Sequence, residues 1–548
     1  MSGIILLVIA IGAFIVGYLT YGAYVARRLG IDPQRPTPAQ TMKDGIDYVP
    51  TRAPVLLGHH FASISGAGPI VGPVVAAAFG WVPVFLWIVL GGIFIGAVHD
   101  LSALVSSIRH RAKSIGEIIG ENVGISGKKL FAAFAWLALI LVLAVFAVVI
   151  AKMFVGTPEA ATASSLFVVL AVVFGFAVYQ RGAPLAVTSV AGVALLCGCV
   201  GLGVLFPFTL PFKVWVVVLL VYAFVASCLP IWILLQPRDY LNSFLLYGFL
   251  IGAVIGILAT NPSIKLPAFT GFETNLGYLF PILFVTVACG AISGFHSLVS
   301  SGTSSKQLSN EAHARPIGYG GMLLECLLAV IALSTVAVLV MSDYKETLKD
   351  LGWGGTFAKG VGGFLTGIGI PLAVGKGFGA LVLSAFALTT LDTATRIGRF
   401  VFAELAEREG KAVSAGVVDR IVPILTNRYV GGAICVICAG ALALSGTWKQ
   451  IWPLFGSANQ LLAGLALLAV AVWLATLGRS NRFVVLPMIF MFAVTLTALV
   501  VLFLKTIAAA NYLLACFAVA LFILAIILLY LAITRLIAVR GKKPAASG

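Results

Sequence analysis

Apolar runs recur from end to end of this 548-residue chain. Each is close to the ~20 residues that an α-helix needs to cross a bilayer core. Such runs fall near 3–25, 56–79, 81–107, 130–151, 163–180, 184–206, 214–235, 240–259, 279–299, 317–341, 375–395, 429–446, 451–477, 483–504 and 511–534. The chain reads as an all-α polytopic membrane protein with no sizeable soluble domain. With 61% hydrophobic and 10% charged residues, a soluble fold is excluded.

One run cannot be an unbroken helix. Gly58-His59-His60-Phe61-Ala62-Ser63-Ile64-Ser65-Gly66-Ala67-Gly68-Pro69-Ile70-Val71-Gly72-Pro73 places two glycines and two prolines at membrane depth. Glycine has little helix propensity, and proline removes a backbone donor. Backbone freed there must be buried in protein or line a wet cavity. Half-helix ends of this kind build transporter sites near the bilayer midplane. A second interrupted run, Ala288 to Lys306, carries Gly290, Gly294 and Gly302 and shares an Ile-Ser-Gly core with the first, Ile64-Ser65-Gly66 against Ile292-Ser293-Gly294. The counted topology runs the two in opposite directions, the pattern of an inverted-repeat secondary transporter with discontinuous helices.

The polar residues near the breaks are the candidates for chemistry. His60, Ser63, Ser65, Gly66 and Gly68 on the first, and Ser293, Gly294 and His296 on the second, are read as substrate-binding, together with Asn459 from Gly456-Ser457-Ala458-Asn459-Gln460. A half-helix N-terminus suits a carboxylate, and imidazoles suit proton transfer near neutral pH. Asn459 and Gln460 fit substrate and backbone equally. His59 reads as a histidine satisfied by a neighbouring carbonyl. His296, Ser300, Ser301, Thr390, Asp392, Thr393 and Arg396 are read as coupling or gate residues. Asp392, Arg396 and Arg399 share a helix face, which serves a structural ion pair or a gate. His99-Asp100 carries the same two readings. Glu325 is costly inside a span unless protonated or paired and is a candidate proton carrier with no partner evident in the sequence. The coupling ion is read as H⁺, with His60 and His296 as its carriers on the two broken helices, and Na⁺ on the hydroxyls of Ser300, Ser301, Thr390 and Thr393 is the alternative.

The net charge of +16 does not mark a nucleic-acid binder. With the N-terminus outside, 26 of the 35 Lys and Arg residues fall in inner loops, as the positive-inside rule expects. The eight cysteines lie in apolar segments and read as packing residues. No phosphate loop, paired catalytic carboxylates, zinc spacing or nucleophile elbow occurs, so the expectation is a non-enzyme that needs no cofactor and no metal. A four-part organisation follows: 1–55 first helix and basic segment, 56–259 first repeat, 260–480 second repeat, 481–548 last helices and basic tail.

At these residues the chain resembles the carbon-starvation protein A family. The run Gly58 to Pro73 looks like its hallmark, and Ser293-Gly294-Phe295-His296-Ser297, Leu391-Asp392-Thr393-Ala394-Thr395-Arg396 and Gly456-Ser457-Ala458-Asn459-Gln460 also fit. The resemblance implies a bacterial inner-membrane importer of peptides, pyruvate or both, used under carbon starvation. It also implies a LeuT-like core, with the spans at 56–79, 279–299 and 375–395 as core helices 1, 6 and 8. A seven-plus-seven repeat fits the same count. The expected partners are a small carboxylate-bearing solute, H⁺ or Na⁺, and the lipid bilayer. A nutrient-sensing receptor is the alternative of another class; it would be favoured by a long cytoplasmic signalling domain.

Arg535, Arg540, Lys542 and Lys543 follow the last span and place the C-terminus in the cytoplasm. A phosphatase active only outside the cytoplasm, fused after Gly548, is expected to be silent. Strong activity there would reverse the whole topology.

Overall fold

The computed structural model describes residues 1–45, 48–230, 232–406, 422–445 and 448–540. The expected basic residues Arg408, Lys411, Arg420, Lys542 and Lys543 lie outside them. The described residues are almost wholly helical, with one two-stranded hairpin, Glu273–Thr274 against Gly277–Tyr278. Eleven helices among them are long and apolar enough to cross a membrane, and Ala53–Ile64 with Gly68–Phe79 forms a bent pair at 48°. Phe212–Cys228 and Arg428–Leu444 are shorter apolar helices. With these and the interrupted run from Leu279 to Gly302, each expected apolar segment has its helix.

Burial sorts the helices. Ile451–Thr476 and Ile125–Gly156 are enclosed over most of their surface, while Leu185–Leu205 and Tyr512–Ala538 face outward with apolar side chains. Helices apolar all round belong in a core or a bilayer, and here the chain uses both places.

The two interrupted helices lie side by side at the centre. The half before the break in one packs against the half after the break in the other: Gly68–Ala76 meets Leu279–Thr286 and Ala288–Ala291, and Ala53–Ile64 meets Gly294–Gly302. They therefore run antiparallel, the expected relation of inverted repeats. Close backbone approach allows it. A Cβ on Gly72 would lie 2.6 Å from the Thr286 carbonyl oxygen. Buried cysteines fill against other glycines: Cys289 against Gly68, Cys326 against Gly92 and Cys435 against Gly398. That is the packing role expected for these thiols.

The Gly3 amide donates to Pro262 O at 2.7 Å, and Arg535 Nε donates to Asn122 O at 3.1 Å. The glycine-rich stretch 355–380 is a helical hairpin. Met341–Thr366, kinked at Gly352 (φ 66°), ends in a turn, and Leu372–Ala406 packs back on it with Gly375 against Gly362.

Candidate functional site

The breaks are local consequences of sequence. Ser65 leaves the helical region (φ −76°, ψ 81°) before Gly66, and the new helix begins at Gly68-Pro69, where proline needs no donor. In the second run Ile292 and Ser293 are extended before Gly294 restarts the helix. Both breaks therefore fall on the shared Ile-Ser-Gly motif.

Between them lies a void of about 10 Å³, lined by Ile64, Gly66, Cys289, Ser293, Phe295, Val142, Phe146, Thr390, Phe455 and Asn459. This is about the space of one water. It brings together four expected site residues: Gly66, Ser293, Thr390 and Asn459. A Cβ on Gly66 would lie 2.7 Å from both Phe146 Cε1 and Thr390 Oγ1. Gly68 differs from expectation: its free side faces the Cys289 side chain, so it serves helix contact. A leucine there would push the two broken helices apart. Gly294 is pressed against the backbone of Asn459 and Ala463 in the same way.

Asn459 works on the backbone while lining the void. Its Oδ1 accepts from the Phe295 amide (2.9 Å), and its Nδ2 donates to Ser293 Oγ (3.0 Å). Gln460 Nε2 donates to the Phe284 carbonyl at 2.8 Å. The two amides thus satisfy groups on both sides of the second break.

On one flank of the void stands a fully buried chain of ionisable groups. His296 Nδ1 is 2.8 Å from Asp100 Oδ2, and His99 Nδ1 is 2.7 Å from Asp100 Oδ1. On its other side, His296 Nε2 is 3.1 Å from Glu325 Oε2. Glu325 therefore has the partner that the sequence did not reveal, and His99-Asp100 belongs to this cluster. His60 stands beside this cluster, with Nδ1 2.8 Å from Ser304 Oγ, tying Ala53–Ile64 to the turn that follows Gly294–Gly302.

A second buried cluster occupies another side of the first broken helix. Arg238 bridges Asp392 and Asp239. Tyr222 donates to Asp392 Oδ2 at 2.7 Å. Asp239 Oδ2 is 3.3 Å from His59 Nδ1 and accepts from Ser63 Oγ at 3.4 Å. Two expectations change here. The cation on Asp392 is Arg238 from another helix, whereas Arg396 donates to the carbonyls of Ala226 and Leu229. His59 faces a carboxylate, not a carbonyl. Ser301 Oγ bonds back to Ser297 O at 2.7 Å. Ser65 Oγ, Ser300 Oγ and Thr393 Oγ1 are buried with no hydrogen-bond partner among the described residues.

A family model described as "Carbon starvation protein CstA" matches residues 2–352 and 344–498. The chain is 33% identical to "Peptide transporter CstA" of Campylobacter jejuni, over 90% of this chain and 79% of that one. It is 34% identical to "Pyruvate/proton symporter BtsT" of Escherichia coli, over 88% and 78%. Among solved structures, a manganese transporter of Eremococcus coleocola superposes with a TM-score of 0.51 at 12% identity, over 91% of this chain and 99% of that one. That likeness is one of fold, the LeuT-like arrangement of discontinuous helices.

Two outcomes follow from the geometry. Gly66→Leu fills the void and is expected to abolish solute binding in a folded protein, whereas Gly12→Leu, where a Cβ meets nothing within 4 Å, should bind like wild type; isothermal titration compares them. Arg238→Met leaves two buried carboxylates without their cation and is expected to cost ~3–5 kcal/mol. Adding Asp392→Asn should recover a large part of that loss in thermal unfolding. An unchanged melting temperature for Arg238→Met would refute the clamp.

Proposed function

The chain belongs to the carbon starvation protein CstA family, and on that footing we propose that it is a secondary active importer of peptides, pyruvate or both, coupled to protons. It would work in the bacterial inner membrane under carbon starvation, with its N-terminus outside. The observation that carries proton coupling is His296, held between Asp100 and Glu325 with all three side chains fully buried. Ionisable groups inside a membrane protein are costly and mark proton or ion paths. Here each proton gained or lost changes the charge of a cluster sealed from water. His296 is two residues beyond Gly294, where the second helix restarts. A change of charge there acts on the half-helix that borders the void. The solute's carboxylate would sit at the first break, where the helix beginning at Gly68 presents its positive end.

A sodium-coupled reading draws on a different observation. The hydroxyls of Ser65, Ser300 and Thr393, unpartnered among the described residues, are oxygen ligands of the hard kind that a small cation takes.

Proteoliposomes separate the two. Without sodium, an inward proton gradient is expected to drive accumulation of labelled dialanine or pyruvate. Glu325→Gln keeps the shape and removes the ionisable group; it should lose accumulation while counterflow exchange continues. Accumulation that requires sodium and ignores the proton gradient would rule the proton reading out.

A further inference from the structure

A second cavity, far larger than the central void, lies on the face that carries the N-terminus. It measures about 750 Å³, within the ~300–1,000 Å³ of small-molecule sites. Its floor continues toward the void along shared helices. Trp452 and Pro453 line the chamber and Phe455 lines the void. Met153 and Phe146 stand in the same relation on Ile125–Gly156. Trp452 and Phe146 both pack against Phe455, with ring centroids at 5.4 and 6.0 Å. An aromatic layer therefore separates the chamber from the void.

The chamber's charge is one-sided. Its described lining holds Lys152, Lys349 and Lys505 and no carboxylate, among apolar walls that include Trp353 and Trp452. These are three of the nine basic residues that the topology leaves on the outer side, against the general bias. They come from three different helices, so no local sequence run accounts for their convergence. Clefts lined by one sign of charge with low-dielectric walls concentrate counter-ions and speed their arrival.

We infer that this chamber is an outer binding site that recruits carboxylate-terminated solutes of peptide size ahead of the closed central void. The ammonium groups supply the attraction, and the tryptophans and aliphatic side chains supply contact for solute side chains. The volume favours a short peptide over a three-carbon acid. The inference rests on the transport reading for what the chamber feeds, but the site itself is testable without transport.

The half-exposed lining residue Leu351 provides the probe. In the full chain, Leu351→Cys would be labelled with anionic sulfonatoethyl and cationic trimethylammonioethyl methanethiosulfonates, and the rate taken as the difference from protein lacking this cysteine. At low salt the anionic-to-cationic rate ratio is expected to drop ~10-fold when all three lysines become glutamine. Lys349→Gln with Lys505→Gln, which leaves Lys152 in place, should give an intermediate ratio. High salt should erase most of the difference. Trialanine should slow labelling at lower concentration than pyruvate, and less so in the triple variant. A ratio indifferent to the lysines in folded protein overturns the inference. So does the absence of trialanine protection, or protection by pyruvate at equal or lower concentration. Flux through proteoliposomes, measured on the same variants, fails or succeeds separately and reports on the transport reading alone.

Discussion

The structure depends on how the second broken helix is made affordable in an apolar interior. Extended backbone at Ile292 and Ser293 removes groups from the helical ladder, and unsatisfied backbone groups cost several kcal/mol at membrane depth. Asn459 and Gln460, consecutive on one enclosed helix, reach opposite sides of the break: Asn459 to the Phe295 amide and Gln460 to the Phe284 carbonyl. One rigid helix thereby fixes both halves of the interrupted one. Asn459 also lines the void, and the half-helix that begins beside it carries His296.

Apart from the Cys289 thiol, ionisable side chains on the two broken helices are confined to Ala53–Ile64 and Gly294–Gly302. The Arg238 cluster ties His59 and Ser63 of the first broken helix to Asp239 and Asp392. The His296 cluster ties the second to Asp100 and Glu325. The halves Gly68–Ala76 and Leu279–Ala291 instead meet through glycine and small side chains, Gly68 on Cys289 and Gly72 on Thr286. In a low-dielectric interior, a paired charge is expensive to separate, whereas a glycine contact carries no such penalty. The contacts of Ala53–Ile64 and Gly294–Gly302 are therefore the ones whose strength depends on protonation.

Much of this was legible in the sequence because it is local. Hydropathy located the helices, and Gly66, Gly68, Pro69 and Gly294 located the breaks, since their backbone effects need no partner. Partners were another matter. Asp392 reads as paired with Arg396 four residues on, yet its cation is Arg238, 154 residues away. Glu325 reads as solitary because His296 comes from another helix. Asn459 fitted substrate and backbone equally, and only the close packing of its helix on Gly294 shows that it bonds backbone while it lines the void. The three chamber lysines were visible as exceptions to the charge bias, but their convergence depends on where three helices end. Helix register and tilt decide such contacts, and neither is written in local pattern.

The two cavities constrain how any solute could pass. The chamber of about 750 Å³ opens to one face, while the void of about 10 Å³ at the breaks is closed above by Phe455 and Phe146. Nothing larger than a water fits the void without movement. Its walls come from both broken helices and from three helices around them, so enlarging it must shift one of these five or rotate the aromatic layer. The half-helix Gly294–Gly302 carries His296 in a sealed ionic cluster, and the break before it borders the void. Cluster charge and void volume therefore share one half-helix, whose start is fixed by Asn459. On the proton-coupled reading proposed above, coupling needs no long relay: the ionisable group and the void are separated by less than one helical turn of sequence, from Ser293 to His296.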